Sequence, residues 1–151
     1  MKIRPNTWRI FWLLSCLLFF TTTEKAAAQD AALSHKKHKI ILQFTQSDSL
    51  AQKGLLKNLN NLTQALPKAQ IRLVFHGRGV DALLIDKGLF IKELELLQQQ
   101  KKVEMVVCEN TLRERKIEKS ELATFSMFVK AGIAEIVLKQ EKGWKYVKLG
   151  Q

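Results

Sequence analysis

The chain carries only two cysteines, Cys16 and Cys108, and three histidines, and this scarcity excludes several classes of protein. A disulfide scaffold needs more cysteine than this, so the core alone must hold the domain together. No grouping of His, Cys, Asp and Glu has the spacing of a metal centre. No Ser-His-Asp order suits a hydrolase, and no carboxylate pair stands out for acid–base work. The turn His76-Gly77-Arg78-Gly79 lacks the further glycine and the Gly-Lys-Ser/Thr ending of nucleotide-binding loops. Internal repeats and low-complexity blocks are also missing from the 151 residues, and nothing marks a second folded domain. No cofactor and no metal are implied.

What is present begins with a leader. Lys2, Arg4 and Arg9 precede the apolar run Ile10 to Phe20, and a polar stretch then ends in Ala26-Ala27-Ala28. A basic start, a short apolar centre and a small-x-small exit are the marks of a cleavable secretory signal. The expectation is a signal peptide over 1–28, cut after Ala28, and a periplasmic or secreted product. The apolar run is roughly half of the ~20 residues that a membrane-spanning helix needs, so no span is expected in the mature chain. Leu13-Leu14-Ser15-Cys16 loosely resembles a lipobox, but Leu17 to Phe20 continue the apolar core past the cysteine, which argues against a lipoprotein. Cleavage would leave Cys108 as the single thiol of an exported chain, unable to form an intramolecular disulfide.

The charge is strongly positive, formally +11 for the whole chain. Loss of Lys2, Arg4, Arg9, Lys25 and Glu24 with the leader would leave 21 basic and 13 acidic side chains, a formal +8. Such a surface attracts nucleic acid, anionic lipid or acidic partners. Its lysines are dispersed rather than gathered in one block, which favours a solvated surface over a nucleic-acid interface. Residues 29–38 read as a flexible basic lead-in. The run Ser34-His35-Lys36-Lys37-His38 within it has weak metal-binding potential but no further ligand near it.

From residue 39 to 151 the pattern is that of one domain. Lys39 to Thr45 is short, apolar and β-prone, as a buried strand should be. Ser49 and Gln52 have capping-box spacing, and Leu55, Leu59, Leu62 and Leu66 form one helical stripe that Pro67 ends. Ile71 to Phe75 reads as a second strand, Val80 to Ile85 as a short helical piece, and Phe90, Leu94 and Leu97 as the face of another helix. Val103 to Cys108 is the third strand. Thr111 and Glu114 again have capping-box spacing, predicting a helix start there. Phe125 to Val129 is a fourth strand, Ile133, Ile136, Val137 and Gln140 mark a helix closed by Gly143, and Trp144 to Leu149 is an edge strand guarded by Lys145 and Lys148. Strands alternating with helices predict a three-layer α/β/α sandwich, flavodoxin-like in layout, with a mainly parallel sheet of about five strands.

Ligands of open parallel sheets bind beyond the carboxyl ends of the strands. Three loops fall there: Thr45 to Asp48 with Ser47, the His76-Gly77 turn, and Cys108 to Thr111 with Asn110. Cys108, between a strand and a helix start, would meet unpaired N–H groups and a helix dipole, and Arg113 or Arg115 would add positive charge. Glu109 would oppose that effect. A buried cysteine also serves as a small apolar residue, so both readings of Cys108 stay open.

The segments KIILQFTQSD, LVFHGRGVDALL, VVCENTLRERKI, VKAGIAEI and GWKYVKL, in this order, resemble the DsrE/DsrF-like sulfur-relay family from about Lys39 to Leu149. The resemblance implies a three-layer α/β fold, commonly assembled as dimers, trimers or hexamers. It implies sulfur carriage as a cysteine persulfide, with the reactive cysteine in the loop after a central strand, where Cys108 stands. His76 lies in the HG turn seen in similar relatives, and no catalytic role is carried over to it. Relatives that deliver sulfur toward tRNA work in the cytoplasm, which an exported chain would not share.

Two functions follow as expectations. In one, Cys108 is the nucleophile of a sulfur carrier or sulfurtransferase-like protein, not a turnover enzyme, meeting thiol or sulfur-donor and acceptor partners as a homo-oligomer. In the other, Ser47, His76, Gly77, Asn110 and Thr111 line a rim that binds a small anion or peptide, and Cys108 is packing in a non-catalytic binding or assembly module.

Overall fold

A computed structural model describes residues 36–101 and 103–150. Contacts divide the chain between Lys36 and Lys37, and every described element belongs to the second unit. The expected leader 1–28, Cys16 and most of the lead-in 29–38 lie outside the described residues. No helix among those described is long and apolar enough to cross a membrane.

The elements are β1 (Lys39–Phe44), α1 (Ser49–Ala65), β2 (Gln70–Phe75), a 3-10 segment (Gly77–Leu83), α2 (Ile91–Lys101) and β3 (Val103–Cys108). They continue with α3 (Glu109–Arg115), a short 3-10 turn (Lys119–Glu121), β4 (Met127–Val129), α4 (Gly132–Glu141) and β5 (Lys145–Leu149). The five strands form one sheet in the order β4-β3-β2-β1-β5, and every pairing is parallel. The α/β/α architecture and the edge position of β5 are as the pattern predicts.

Topology also explains how unevenly the two faces are covered. From β1 to β4 the chain steps across the sheet in one direction, and right-handed crossovers keep the intervening helices on one side. The connection from β4 to β5 runs back the other way, so its helix, α4, lies on the opposite face. On the first face Leu42, Phe44, Leu73, Phe75, Met105 and Val107 pack under Leu55, Leu59, Val80, Leu83, Leu94, Leu97 and Leu112. On the second, Ile41, Val74 and Val106 meet Ile136 alone, with Val129 and Trp144 at the margin.

Polar pairing reinforces that thin face. Arg72 donates to Glu104 on β3 at 2.5 Å and also to Glu135 on α4, tying β2, β3 and α4 together. The Arg72 and Glu135 side chains are both only 15 % exposed. Lys139 lies 3.8 Å from Glu135 and stacks over the Trp144 ring.

Local signals were displaced in four places. Asp48, not Ser49, caps α1: its Oδ1 accepts the Ala51 N–H at 2.9 Å. Gln52 is instead buried, donating to the Ser47 carbonyl and accepting the Leu89 N–H, which leaves no side chain for a capping box. The inner face of α1 is therefore Gln52, Leu55, Leu59 and Thr63, with Leu62 and Leu66 only partly buried. The helical piece after β2 is a 3-10 segment starting at Gly77, three residues before the expected Val80. Helix α3 begins at Glu109, not Thr111, whose hydroxyl is engaged elsewhere. On α4 only Ile136 of the expected apolar set is buried; Ile133 and Val137 are 56 % and 48 % exposed.

Arg72→Met would leave two carboxylates facing each other on the thin face. The expected cost is about 1–3 kcal/mol, below the value for a fully buried pair because Glu104 is partly solvated. Urea unfolding should show a lower midpoint with an unchanged slope; an unmoved midpoint would mean that the network does not hold α4 down.

Candidate functional site

The site is built where β2, β3 and α4 meet. Register places Arg72, Val74 and His76 on the same face as Glu104, Val106 and Cys108, the face that α4 covers. Cys108 ends β3 and is the N-cap residue of α3, so its side chain stands at the carboxyl rim of the sheet.

The sulfur has a specific partner. The Gly132 N–H donates to Cys108 Sγ at 3.2 Å. Gly132 is the first residue of α4, and the preceding N-cap, Ala131, has no side chain able to accept a hydrogen bond. The Gly132 N–H, the first of α4, has no partner within its own helix, and the thiol of another strand satisfies it. Space for a side chain is tight there. A Cβ at 132 would come 3.0 Å from Val74 Cγ1, 3.2 Å from Cys108 Cβ and 3.5 Å from His76 Cβ.

Burial pushes the Cys108 thiol up, but the N–H of Gly132, the N–H and hydroxyl of Thr111 and the N–H of Asn110 outweigh it and hold the thiol below its ordinary value. These donors are not equal. The Asn110 N–H makes its bond to the Lys130 carbonyl at 3.2 Å, and the start of α3 forms no side-chain cap bond, so among the described residues Gly132 supplies the one bond of full geometry. The expected cationic help takes a different form. Arg115 is turned to the Gly77 carbonyl at 2.9 Å and to Asp81 at 2.6 Å, and Arg113 is bound to Asn110 Oδ1. Glu109 is neutralised by Lys119 at 2.6 Å, which holds its carboxyl below the usual carboxylate range. The thiolate is favoured by dipoles, not by ion pairs.

The remaining rim residues divide into two groups. Thr111 is buried and accepts the Gly77 N–H at 3.0 Å, clamping the His76-Gly77 turn onto α3 beside Cys108. Gly77 has a φ of 56°, and a Cβ on Gly79 would meet the Phe44 carbonyl oxygen at 2.2 Å, so this turn can pass the end of β1 only with glycine. His76, Gly77, Asn110, Thr111 and Cys108 are thus neighbours. Ser47 is placed elsewhere, its carbonyl receiving Gln52 beside Lys87 and Leu89.

Two contributors were not anticipated. Gln43 Nε2 lies 2.6 Å from His76 Nε2, and the Tyr146 hydroxyl donates to Gln43 Oε1. Gln43 interrupts an otherwise apolar strand, which was the available signal. A groove of about 590 Å³ opens beside α3, lined by Leu112, Arg113, Lys116 and Lys119, and Cys108 is not part of it.

An α/β domain whose cysteine sits at the carboxyl rim and caps a helix from a neighbouring strand is the class that this fold and site define. A family model described as the DsrE/DsrF-like family matches residues 17–149, and the chain belongs to that family, which is associated with sulfur relay. A solved protein of unknown function from Methanobacterium thermoautotrophicum is similar at 26 % identity with a TM-score of 0.70, over 74 % of this chain and 99 % of that one. The ychN protein of E. coli shares the fold at 17 % identity with a TM-score of 0.61, over 76 % of this chain and 100 % of that one. No curated protein matches the chain significantly.

Thr111→Val removes a donor to the sulfur while keeping the shape of the side chain. The Cys108 thiol should rise toward its ordinary value, and alkylation by iodoacetamide at neutral pH should slow several-fold, roughly in step with the loss of thiolate. Thr111→Ser should alkylate like the parent. Equal rates in the parent and Thr111→Val would show that the hydroxyl does not act on the sulfur.

Proposed function

We propose that the protein is an exported sulfur carrier in which Cys108 holds sulfane sulfur as a persulfide. The observation that carries this reading is the Gly132 N–H···Sγ bond at 3.2 Å. A cysteine that only fills space needs no donor, and burial by itself would make its thiol a poorer nucleophile. Membership of a family associated with sulfur relay supports the same reading.

In the loading step the Cys108 thiolate attacks the outer sulfur of a persulfide or polysulfide. The donor's S–S bond breaks, its electron pair departs with the donor thiolate, and a new bond forms between Sγ and the transferred sulfur. Unloading repeats the exchange with an acceptor thiolate, and Cys108 leaves as the thiolate. No external oxidant or reductant is consumed. The backbone N–H of Gly132 raises the thiolate fraction available for loading and stabilises the charge that returns to Sγ on unloading. Donor and acceptor are thiol or sulfane-sulfur partners outside the cytoplasm, a location supported by the basic, apolar and small-residue order of Lys2 to Ala28. The exposed Ile133 and Val137 of α4 support assembly as a homo-oligomer.

One observation favours the second reading, a binding or assembly module in which Cys108 is packing: the residue is only 6 % exposed. Mass spectrometry separates the two. After exposure to inorganic polysulfide, the mature protein should gain sulfur on Cys108, reversibly with dithiothreitol, and Cys108→Ala should gain none. A native protein whose Cys108 stays unmodified would sink the carrier reading and leave the packing role.

A further inference from the structure

His76 stands with Cys108 against the start of α4. The order of the sheet sets β2 between β1 and β3, so Gln43 and Cys108 flank His76 on the α4 face. The His76 and Cys108 Cβ atoms lie 3.5 and 3.2 Å from the same point above Gly132. On the far side, a chain of hydrogen bonds reaches His76 across the sheet from β5: Tyr146 donates to Gln43 Oε1, and Gln43 Nε2 stands 2.6 Å from His76 Nε2.

This chain has a direction. A phenol O–H given to the amide oxygen turns the Gln43 NH2 toward the imidazole. The ring nitrogen that receives it, Nε2, is then the unprotonated one, and the proton of the neutral ring sits on Nδ1. Burial lowers the His76 pKa, which favours the neutral ring. Among the described residues, Nδ1 makes no hydrogen bond. In this arrangement Nδ1–H has no partner among the described residues, in a side chain whose Cβ adjoins the same point above Gly132 as that of Cys108.

We propose that His76 Nδ1–H hydrogen-bonds the anionic sulfur that leaves when sulfane sulfur passes to Cys108, with Gln43 and Tyr146 as positioning residues. The proposal rests on the carrier reading above and gives that site its second functional group. As the Cys108 thiolate attacks, the electron pair of the breaking S–S bond collects on the leaving sulfur. The imidazole N–H points at that charge and keeps its proton, because a neutral imidazole is too weak an acid to give it up. The released thiolate or shorter polysulfide anion takes its proton afterwards from water. A fixed neutral imidazole donor of this kind stabilises developing charge without waiting for a protonation event.

The test compares two reactions of Cys108 in the mature protein: single-turnover sulfuration by inorganic polysulfide, and alkylation by iodoacetamide. Alkylation expels iodide, which gains little from an N–H donor, so it reports the thiolate alone. His76→Phe should slow sulfuration by about 10- to 100-fold, the worth of one hydrogen bond to a charged group, and leave alkylation nearly unchanged. His76→Asn, whose amide N–H2 falls near the Nδ1 position, should restore most of the rate. His76→Gln, which reaches the Nε2 position, should not. Tyr146→Phe, a surface change that the fold should tolerate, should lose a smaller share of sulfuration by freeing the Gln43 amide to turn.

Equal slowing of both reactions in His76→Phe would overturn the proposal, since His76 would then act only through the cysteine or the fold. Rescue by Gln instead of Asn would overturn the assigned tautomer and the proposal with it. A parent that takes up sulfur while His76→Phe does so at the same rate would remove His76 from the chemistry and leave the carrier reading standing. A parent that takes up no sulfur would end both.

Discussion

The bond from the Gly132 N–H to Cys108 Sγ joins the two halves of this structure. It connects the end of a central strand to the start of the helix covering the thin face of the sheet. Each partner needs the other. The N–H of Gly132, the first residue of α4, has no acceptor within its own helix, and the sulfur supplies one. The buried thiol, in turn, lies against the positive end of a ten-residue helix, where an anion is tolerated. The missing side chain at 132 lets the backbone approach so closely, and it leaves Val74, His76 and Cys108 in contact with the helix start.

Division of labour between the two faces follows from chain direction. Successive strands from β1 to β4 gather α1, α2 and α3 over one deep apolar layer, which holds most of the buried side chains. Reversal toward β5 leaves the other face to a single helix and a small cluster, reinforced by Arg72 between Glu104 and Glu135. Polar side chains that would be costly within the deep layer, Gln43 and His76 among them, are accommodated on the thin side near the rim. Most of the apolar packing thus lies on one face of the sheet, and the candidate site lies on the other.

Much of the fold was legible because parallel strands buried on both faces read as short apolar runs, as KIILQF and VEMVVC do. The place of Cys108 followed from its position at the end of such a run. Cap positions were less legible. Asp48 and Ser49 are both good caps, and only the burial of Gln52 decides between them. Thr111 has the spacing of a cap, but its hydroxyl oxygen accepts the Gly77 N–H instead. Distance along the chain hid the rest. Gly132 lies 24 residues from Cys108, and Tyr146 lies 103 residues from Gln43, and no local pattern links such pairs before the strand order is known.

Sulfur carriage depends on the ionisation of Cys108, and a pH titration of its thiolate by ultraviolet absorbance, in the folded mature protein, measures it most directly. A folded pKa held below the unfolded one means that ionisation stabilises the fold at alkaline pH, and that this contribution disappears as pH falls through the folded value. The half-titration point should lie below the ordinary thiol value of 9.0, and it should move up in Gly132→Ala, where the added methyl group pushes the N–H away from the sulfur. A thiol that titrates at or above its ordinary value, unaffected by the substitution, would contradict the account.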